Sequence, residues 1–147
     1  TELNRKMMDA AAKERGLEYH FEANGTETDV YPNTVDIRMT NTAGQTMTVR
    51  GESLGGGKVQ IVRINQVKVH FTGEYSAVIV IHRDTPGVVA HITRCLSDRN
   101  LNIAFMRLFR EAKGDTAYTI VESDDQLPKS IADILRENQN VYEVMVL

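Results

Sequence analysis

Cysteine is nearly absent. Cys95 stands alone among 147 residues, so the chain forms no internal disulfide and cannot by itself offer the three or four thiolates that an iron–sulfur cluster takes. A strong basic run is also missing, and the formal charge is -3, which gives no support for nucleic-acid binding. No uninterrupted apolar stretch approaches the roughly 18 to 20 residues that span a bilayer. The start carries no signal-peptide pattern. His20, His70, His82 and His91 show no metal-ligand spacing, and no lysine stands in a context that suggests a pyridoxal phosphate pocket. The glycine fingerprint of a nucleotide-binding βαβ unit is absent too. What remains is ordinary globular composition, 41% hydrophobic and 25% charged, expected of a cytoplasmic chain without membrane or nucleic-acid partners.

The richest stretch is Ile81-His82-Arg83-Asp84-Thr85-Pro86-Gly87-Val88-Val89, followed by Asn100-Leu101-Asn102-Ile103-Ala104. It reads as a strand, a tight turn, a helix and a second strand beginning at Asn102. Thr85 is the expected N-cap and Pro86 the first helical residue, where its fixed φ suits the helix and its missing donor costs nothing. A helix N-terminus presents free N–H groups and partial positive charge, so a small carboxylate or phosphate can settle at Gly87 and Val88. The helix at 86–99 places Val88, Ile92, Cys95 and Leu96 on one stripe. Cys95 is therefore expected to be a buried small hydrophobe, with a reactive thiol as the alternative.

Around this stretch the chain is regular. Residues 77–81 form a continuous apolar run suited to a buried strand. Asn100 is placed to end the helix in the left-handed conformation. Strands are expected at 102–110, 116–122 and 141–147, with a turn at Lys113-Gly114-Asp115 and a helix opened by Pro128. Asp124 and Asp125 read as caps of that helix. The order βαββαβ is the ferredoxin-like arrangement.

The first half differs in kind. Residues 3–15 are expected to be a helix ended by Gly16, followed by short strands. Leu17, Tyr19 and Phe21 share one face, and Val35, Ile37 and Met39 another. Asn41 to Gly44 is a turn, and further strands carry Met47 and Val49, Val59 and Ile61, then Val67, Val69 and Phe71. Gly51-Glu52-Ser53-Leu54-Gly55-Gly56-Gly57-Lys58 lies between two of them. Three consecutive glycines are entropically costly. Either they form a backbone nest for an anion, with Ser53, Gly55, Gly56, Gly57 and Lys58 as its residues, or they make a tight connection. The apolar pattern changes at Gly73-Glu74-Tyr75, which divides the chain into 1–74 and 75–147. His20, His70 and His91 read as solvated.

The strand-turn-helix stretch resembles the ACT domain, a small ligand-sensing module of enzymes of amino-acid metabolism. The resemblance to the serine-binding ACT domain of D-3-phosphoglycerate dehydrogenase implies effector contacts from His82, Asp84 and Asn102, with Gly87 and Val88 at the helix start. Asp84 stands where that pattern has an amide; a carboxylate there favours an ammonium group but removes a donor. The glycine loop, the following Lys-Val-Gln-Ile-Val-Arg-Ile-Asn and the ACT pattern together resemble the beta subunit or regulatory part of bacterial iron-sulfur-dependent L-serine dehydratase.

That resemblance implies an α+β chain, with a partial antiparallel α+β domain at 1–74, part of an allosteric substrate-binding domain, followed by a ferredoxin-like βαββαβ ACT domain at 75–147. It implies binding of L-serine or a similar small amino acid, assembly with a catalytic alpha subunit or domain that holds the 4Fe–4S cluster, and a homodimer. This chain by itself would hold no cofactor and no metal, and would be inactive. The Ser-Ser-Ser-His-Thr motif of the dehydratases is absent, so the chain is expected to be a C-terminal piece. The alternative is an amino-acid-sensing region of another enzyme, such as D-3-phosphoglycerate dehydrogenase.

Overall fold

A computed structural model of the chain describes residues 2–23, 25 and 30–147, leaving the side chains of Leu3 and Asn4 aside. The chain forms two compact units, 1–30 and 31–147. In the first, α1 (Glu2–Glu14) ends where Gly16 takes φ 65. The Gly16 and Leu17 N–H groups then bond back to Lys13 and Ala12 at 3.2 and 2.8 Å, which satisfies carbonyls the helix end would otherwise leave open. The strand expected at Leu17, Tyr19 and Phe21 does not form; residues 17–23 are irregular. Its alternation instead brings Tyr19 and Phe21 into an edge-to-face pair, 5.3 Å between centroids, while the Tyr19 hydroxyl donates to Asp9. Without a neighbouring strand among the described residues of this unit, alternation alone cannot make a ladder.

The second unit holds two antiparallel sheets. The first is a meander of β1 (Thr34–Thr40), β2 (Thr46–Gly55), β3 (Lys58–Ile64) and β4 (Val67–Phe71), in that spatial order. The turn between β1 and β2 is built by Asn41, whose Oδ1 accepts from the N–H groups of Ala43 and Gln45 at 3.0 Å each, an Asx-type turn. The turn between β3 and β4 turns on Asn65 at φ 52.

The second sheet contains β5 (Ser76–Arg83), β6 (Phe105–Arg110), β7 (Thr116–Ser123) and β8 (Val141–Val146) in the order β6-β7-β5-β8. With α2 (Val88–Ser97) and α3 (Ile131–Leu135) it makes the βαββαβ arrangement. Strands β5 and β7 are central and buried on both faces along residues 77–82 and 117–123, which explains why β5 reads as a continuous apolar run rather than an alternation.

Each face of this second sheet has its own core. Val78, Val80, Val121 and Val144 meet Val88, Ile92, Cys95 and Leu96 of α2 and Ile131 and Leu135 of α3. On the other face Ile79, Ile81, Tyr118 and Ile120 meet Ile64, Val67, Val69 and Phe71 of the first sheet. The two sheets thus share a core.

Several expected boundaries move. Helix α2 begins at Val88, not Pro86, with Gly87 as its N-cap at φ 93 and no side-chain cap from Thr85. The chain must reverse sharply out of β5, and only glycine reaches that φ without strain. Its other end follows expectation. Asn100 has φ 54, and the Asn100 and Leu101 N–H groups bond to Ser97 and Leu96 at 2.9 and 3.1 Å. Strand β6 starts at Phe105 rather than Asn102, and α3 at Ile131 rather than Pro128. Asp124 and Asp125 do not cap α3; Ser130 occupies that position, and both carboxylates bond Asn102 instead.

Candidate effector site

The strand-turn-helix stretch forms with its helix starting at Val88, and its polar groups are mostly committed to one another. His82 is the last inward residue of β5 and is buried at 1% exposure. Its Nδ1–H donates to the Arg83 carbonyl at 2.7 Å, and its Nε2 shares a hydrogen bond with the Thr119 hydroxyl at 2.8 Å. A carbonyl can only accept, so Nδ1 carries a proton. Both nitrogens are then occupied. In this arrangement His82 fixes the exit from β5 from beneath the turn.

Asp84 bolts that turn to the β6–β7 hairpin. Its backbone N–H donates to the Asp115 carbonyl at 2.6 Å. Its carboxylate accepts from the Gly114 N–H at 3.0 Å and from Arg110 at 3.2 Å. The Gly114 N–H, then Arg110, hold the carboxyl below the usual carboxylate range, because both favour the charged form. The first-turn N–H groups of α2 beside Gly87 and Val88 have no intrahelical partner, as at any helix start.

Asn102 lies elsewhere. Its carbonyl accepts from the Ser123 hydroxyl at 2.6 Å, its N–H donates to Asp125 at 3.0 Å, and its Nδ2 donates to Asp124 at 3.2 Å. In the β5–β7 register Ser76 opposes Ser123 whereas His82 opposes Ala117. Six residues of strand separate the two ends, roughly 20 Å at 3.3 Å per residue. One copy of the chain therefore brings His82, Asp84, Gly87 and Val88 together and leaves Asn102 at the opposite end of the domain.

The glycine loop is a hairpin. Gly55 pairs with Lys58, and Gly55, Gly56 and Gly57 have φ of 84, 61 and 80. Two-residue hairpin turns with positive φ at both central positions match the strand twist and strongly favour glycine. A Cβ on any of the three would meet nothing within 4 Å, so conformation rather than crowding selects glycine here. Ser53 sits in the strand, its N–H bonded to the Asn33 carbonyl at 2.9 Å, and Lys58 is exposed.

Sequence reasoning missed two features. His91, expected to be solvated, is half-buried; its Nε2 donates to the Leu135 carbonyl at 3.2 Å, and Cys95 lies one turn along. Burial pushes the Cys95 thiol up, which is the opposite of a reactive thiolate. The spacing of four between His91 and Cys95 was the available signal. The second is Asn65, whose Nδ2 donates to the Tyr118 hydroxyl at 3.2 Å; nothing local in the sequence announces a bond across 53 positions. Among the described residues no group of three His, Cys, Asp or Glu side chains converges as a metal site. One buried thiol does not fit a thiolate-held cluster.

Residues 76–139 match the ACT domain family, and the second sheet with its two helices is an ACT domain. The chain is 28% identical over 133 residues to a probable L-serine dehydratase beta chain of Bacillus subtilis, which covers 90% of this chain and 60% of that one. It is 30% identical over 120 residues to the L-serine dehydratase beta chain of Peptoniphilus asaccharolyticus, covering 82% and 54% respectively. It is also 29% identical over 136 residues to the D-3-phosphoglycerate dehydrogenase of Bacillus subtilis, covering 92% of this chain and 26% of that enzyme. The chain thus spans little more than half the length of the dehydratase beta chains it matches. No helix among the described residues is long and apolar enough to cross a membrane.

Proposed function

We propose that this chain is the regulatory part of an L-serine dehydratase, the enzyme that converts L-serine to pyruvate and ammonia, and that it binds L-serine or a similar small amino acid. The similarity to two dehydratase beta chains across more than four-fifths of the chain supports the assignment. In this reading residues 1–74 are part of an allosteric substrate-binding domain and 75–147 the ACT domain. A catalytic alpha subunit or domain supplies the 4Fe–4S cluster, and the assembly works in the cytoplasm.

The observation that carries the site is the placement of Asn102 at the far end from His82 and Asp84. A small amino acid cannot bridge roughly 20 Å, so a ligand held by both ends must lie between two copies. The turn of one copy offers its helix N-terminus to the ligand carboxylate. Asn102 of the second copy offers Oδ1 to the ammonium, beside Asp124 and Asp125. Asp84, already holding Arg110 and Gly114, shapes the turn and adds negative potential. The edges of the ACT sheet at β6 and β8 give the copies a means to pair.

A thermal melt with and without L-serine tests this. Ligand at about 100 times its dissociation constant stabilises the fold by roughly 2.7 kcal/mol, a visible shift. Asn102→Ala should abolish the response, and dilution below the dimer range should weaken it. A wild-type chain indifferent to saturating serine, or an Asn102→Ala chain that responds normally, defeats the proposal.

A second reading rests on the D-3-phosphoglycerate dehydrogenase match: the same module would serve as that enzyme's amino-acid sensor. Co-purification with a cysteine-bearing dehydratase alpha chain rather than a nucleotide-binding dehydrogenase separates the two.

A further inference from the structure

Strand β1 is an outer strand of the first sheet and, among the described residues, pairs only with β2. Edge strands are usually blunted by proline, lysine, a bulge or extreme shortness. β1 has none of these. Its seven residues, Thr-Val-Asp-Ile-Arg-Met-Thr, match β2 pair by pair without a break, whereas the β2–β3 and β3–β4 pairings both shift. Val35, Ile37 and Met39 are 57, 50 and 46% exposed. They oppose Gly51, Val49 and Met47, and Val49 in turn opposes the core residue Ile64. Directly opposed residues project to the same face, so the three prolong the apolar face of the shared core out to the free edge.

The backbone of that edge is set for a further strand. Just outside β1, the Ser53 N–H donates to the Asn33 carbonyl at 2.9 Å and the Asn41 N–H to the Gln45 carbonyl at 3.0 Å. Bonded pairs alternate along an antiparallel ladder, so Val35, Ile37 and Met39 are tied to β2, while Thr34, Asp36, Arg38 and Thr40 turn their N–H and C=O groups outward. Asp36 and Arg38 also bring opposite charges to the face away from the core. Asp36 holds Arg50 in a two-point contact, through Nε at 2.7 Å and a terminal nitrogen at 2.5 Å, with its own side chain still 43% exposed. Arg38 is exposed and makes no ion pair among the described residues.

We propose that β1 is a self-recognition edge: two copies of the chain join through it, antiparallel about a two-fold axis at Ile37, making one continuous sheet from the two first sheets. In that register Asp36 of each copy opposes Arg38 of the other, Val35 opposes Met39, and Ile37 meets its own equivalent. The charges select it. Outward-facing backbone groups can pair only with outward-facing groups, so the nearest alternative registers set Asp36 against Asp36 or Arg38 against Arg38, and like charges directly opposite are destabilising. A strand complementary to itself about its own centre suits the isologous contact of a two-fold dimer. This interface lies on a different sheet from the β6 and β8 edges and from the amino-acid site, and it depends on neither.

Position-specific cross-linking of the full chain tests the register. The Ile37 pair is a non-bonded one, with Cα atoms about 4.5 Å apart, inside the range a disulfide spans. Val35 and Met39 each lie four residues from their own equivalents, roughly 13 Å, which is too far. Under mild oxidation Ile37→Cys should therefore link two chains at least about tenfold faster than Val35→Cys or Met39→Cys, with peptide mapping placing the link at position 37 and not at the buried Cys95. Sedimentation over a dilution series gives the second readout. Arg38→Glu turns two attractive pairs into repulsive ones and should weaken self-association about tenfold, with the melting midpoint of the dilute chain unchanged. If Ile37→Cys does not fold, Arg38→Glu decides. The proposal is overturned if the wild-type chain is monomeric at high concentration, if Ile37→Cys links no faster than Val35→Cys or Met39→Cys, or if Arg38→Glu associates as wild type does, which would leave pairing to the ACT sheet alone.

Discussion

Asn65 and Tyr118 join the two sheets by a side-chain hydrogen bond, Nδ2 to hydroxyl, at 3.2 Å. Asn65 also accepts the Thr48 N–H on Oδ1 at 3.1 Å and donates its own N–H to the Thr48 carbonyl at 2.7 Å. One residue in the left-handed β3–β4 turn thereby ties that turn to β2 and to the ACT strand β7. Removing the Tyr118 hydroxyl with Tyr118→Phe should cost about 1 kcal/mol in a urea denaturation series. Asn65→Ala should cost more, because it also forfeits the Thr48 contact and places a Cβ residue with no local hydrogen bond at positive φ. A double-mutant cycle should return a coupling of at least about 0.5 kcal/mol; additive losses would mean the bond is energetically idle.

The His82 tautomer makes a second prediction. His82→Ala leaves a cavity beside the β5 exit and strands the Thr119 hydroxyl, which is fully buried. The expected loss is about 2–4 kcal/mol. Nitrogen-15 shifts of the wild-type ring should identify Nδ1 as the protonated nitrogen. Protonation at Nε2 instead would contradict the bond to the Arg83 carbonyl.

Acid should weaken the first sheet through Asp36. Arg50 lowers its carboxyl, first by hydrogen bonding and then by charge, with Arg63 adding to the effect. A carboxyl lowered by folding contributes stability that is fully present above its unfolded value near about 3.9. That contribution is lost as pH falls through the lower, folded value. Asp36→Asn should therefore be less stable than wild type at neutral pH, by about 1–3 kcal/mol, because the charge-assisted two-point contact with Arg50 is weakened. The difference between the two proteins should shrink on acidification below the carboxylate range. A gap that stays constant across that range would assign the loss to packing.

The hairpin glycines are the simplest test. Gly56→Ala and Gly57→Ala each place a side chain at positive φ, which costs roughly 1–2 kcal/mol, although neither Cβ meets a neighbour. Denaturation midpoints should fall for both while the serine response of the wild type is kept. A glycine variant that keeps its stability but loses ligand response would assign ligand binding to the hairpin.

The ACT half was legible because its signals are local and agree with one another. A buried apolar run at β5, the stripe of Val88, Ile92, Cys95 and Leu96, and a left-handed Asn100 each specify structure within a few residues, and each appears where expected. Boundaries were less legible. Pro86 is a good first helical residue by propensity, yet the chain needed Gly87 at φ 93 to leave β5 and began its helix there. The irregular segment at 17–23 failed for a related reason: alternation is a statement about faces, and it makes a strand only where a neighbour supplies the ladder.

The sequence by itself determined the βαββαβ order, the antiparallel character of the first sheet and the burial of Cys95, because periodicity of 2 or 3.6 and turn chemistry act over short spans. Tertiary structure decided which polar groups remain available. Burial and the β5–β7 register committed both nitrogens of His82 and the carboxylate of Asp84 internally and carried Asn102 roughly 20 Å away. They also set Arg63 beside Lys68, five positions apart in sequence and directly opposed in space. Strand pairing brings together residues whose separation along the chain carries no such information, and so the constellation of a site is settled only when the strands have found their partners.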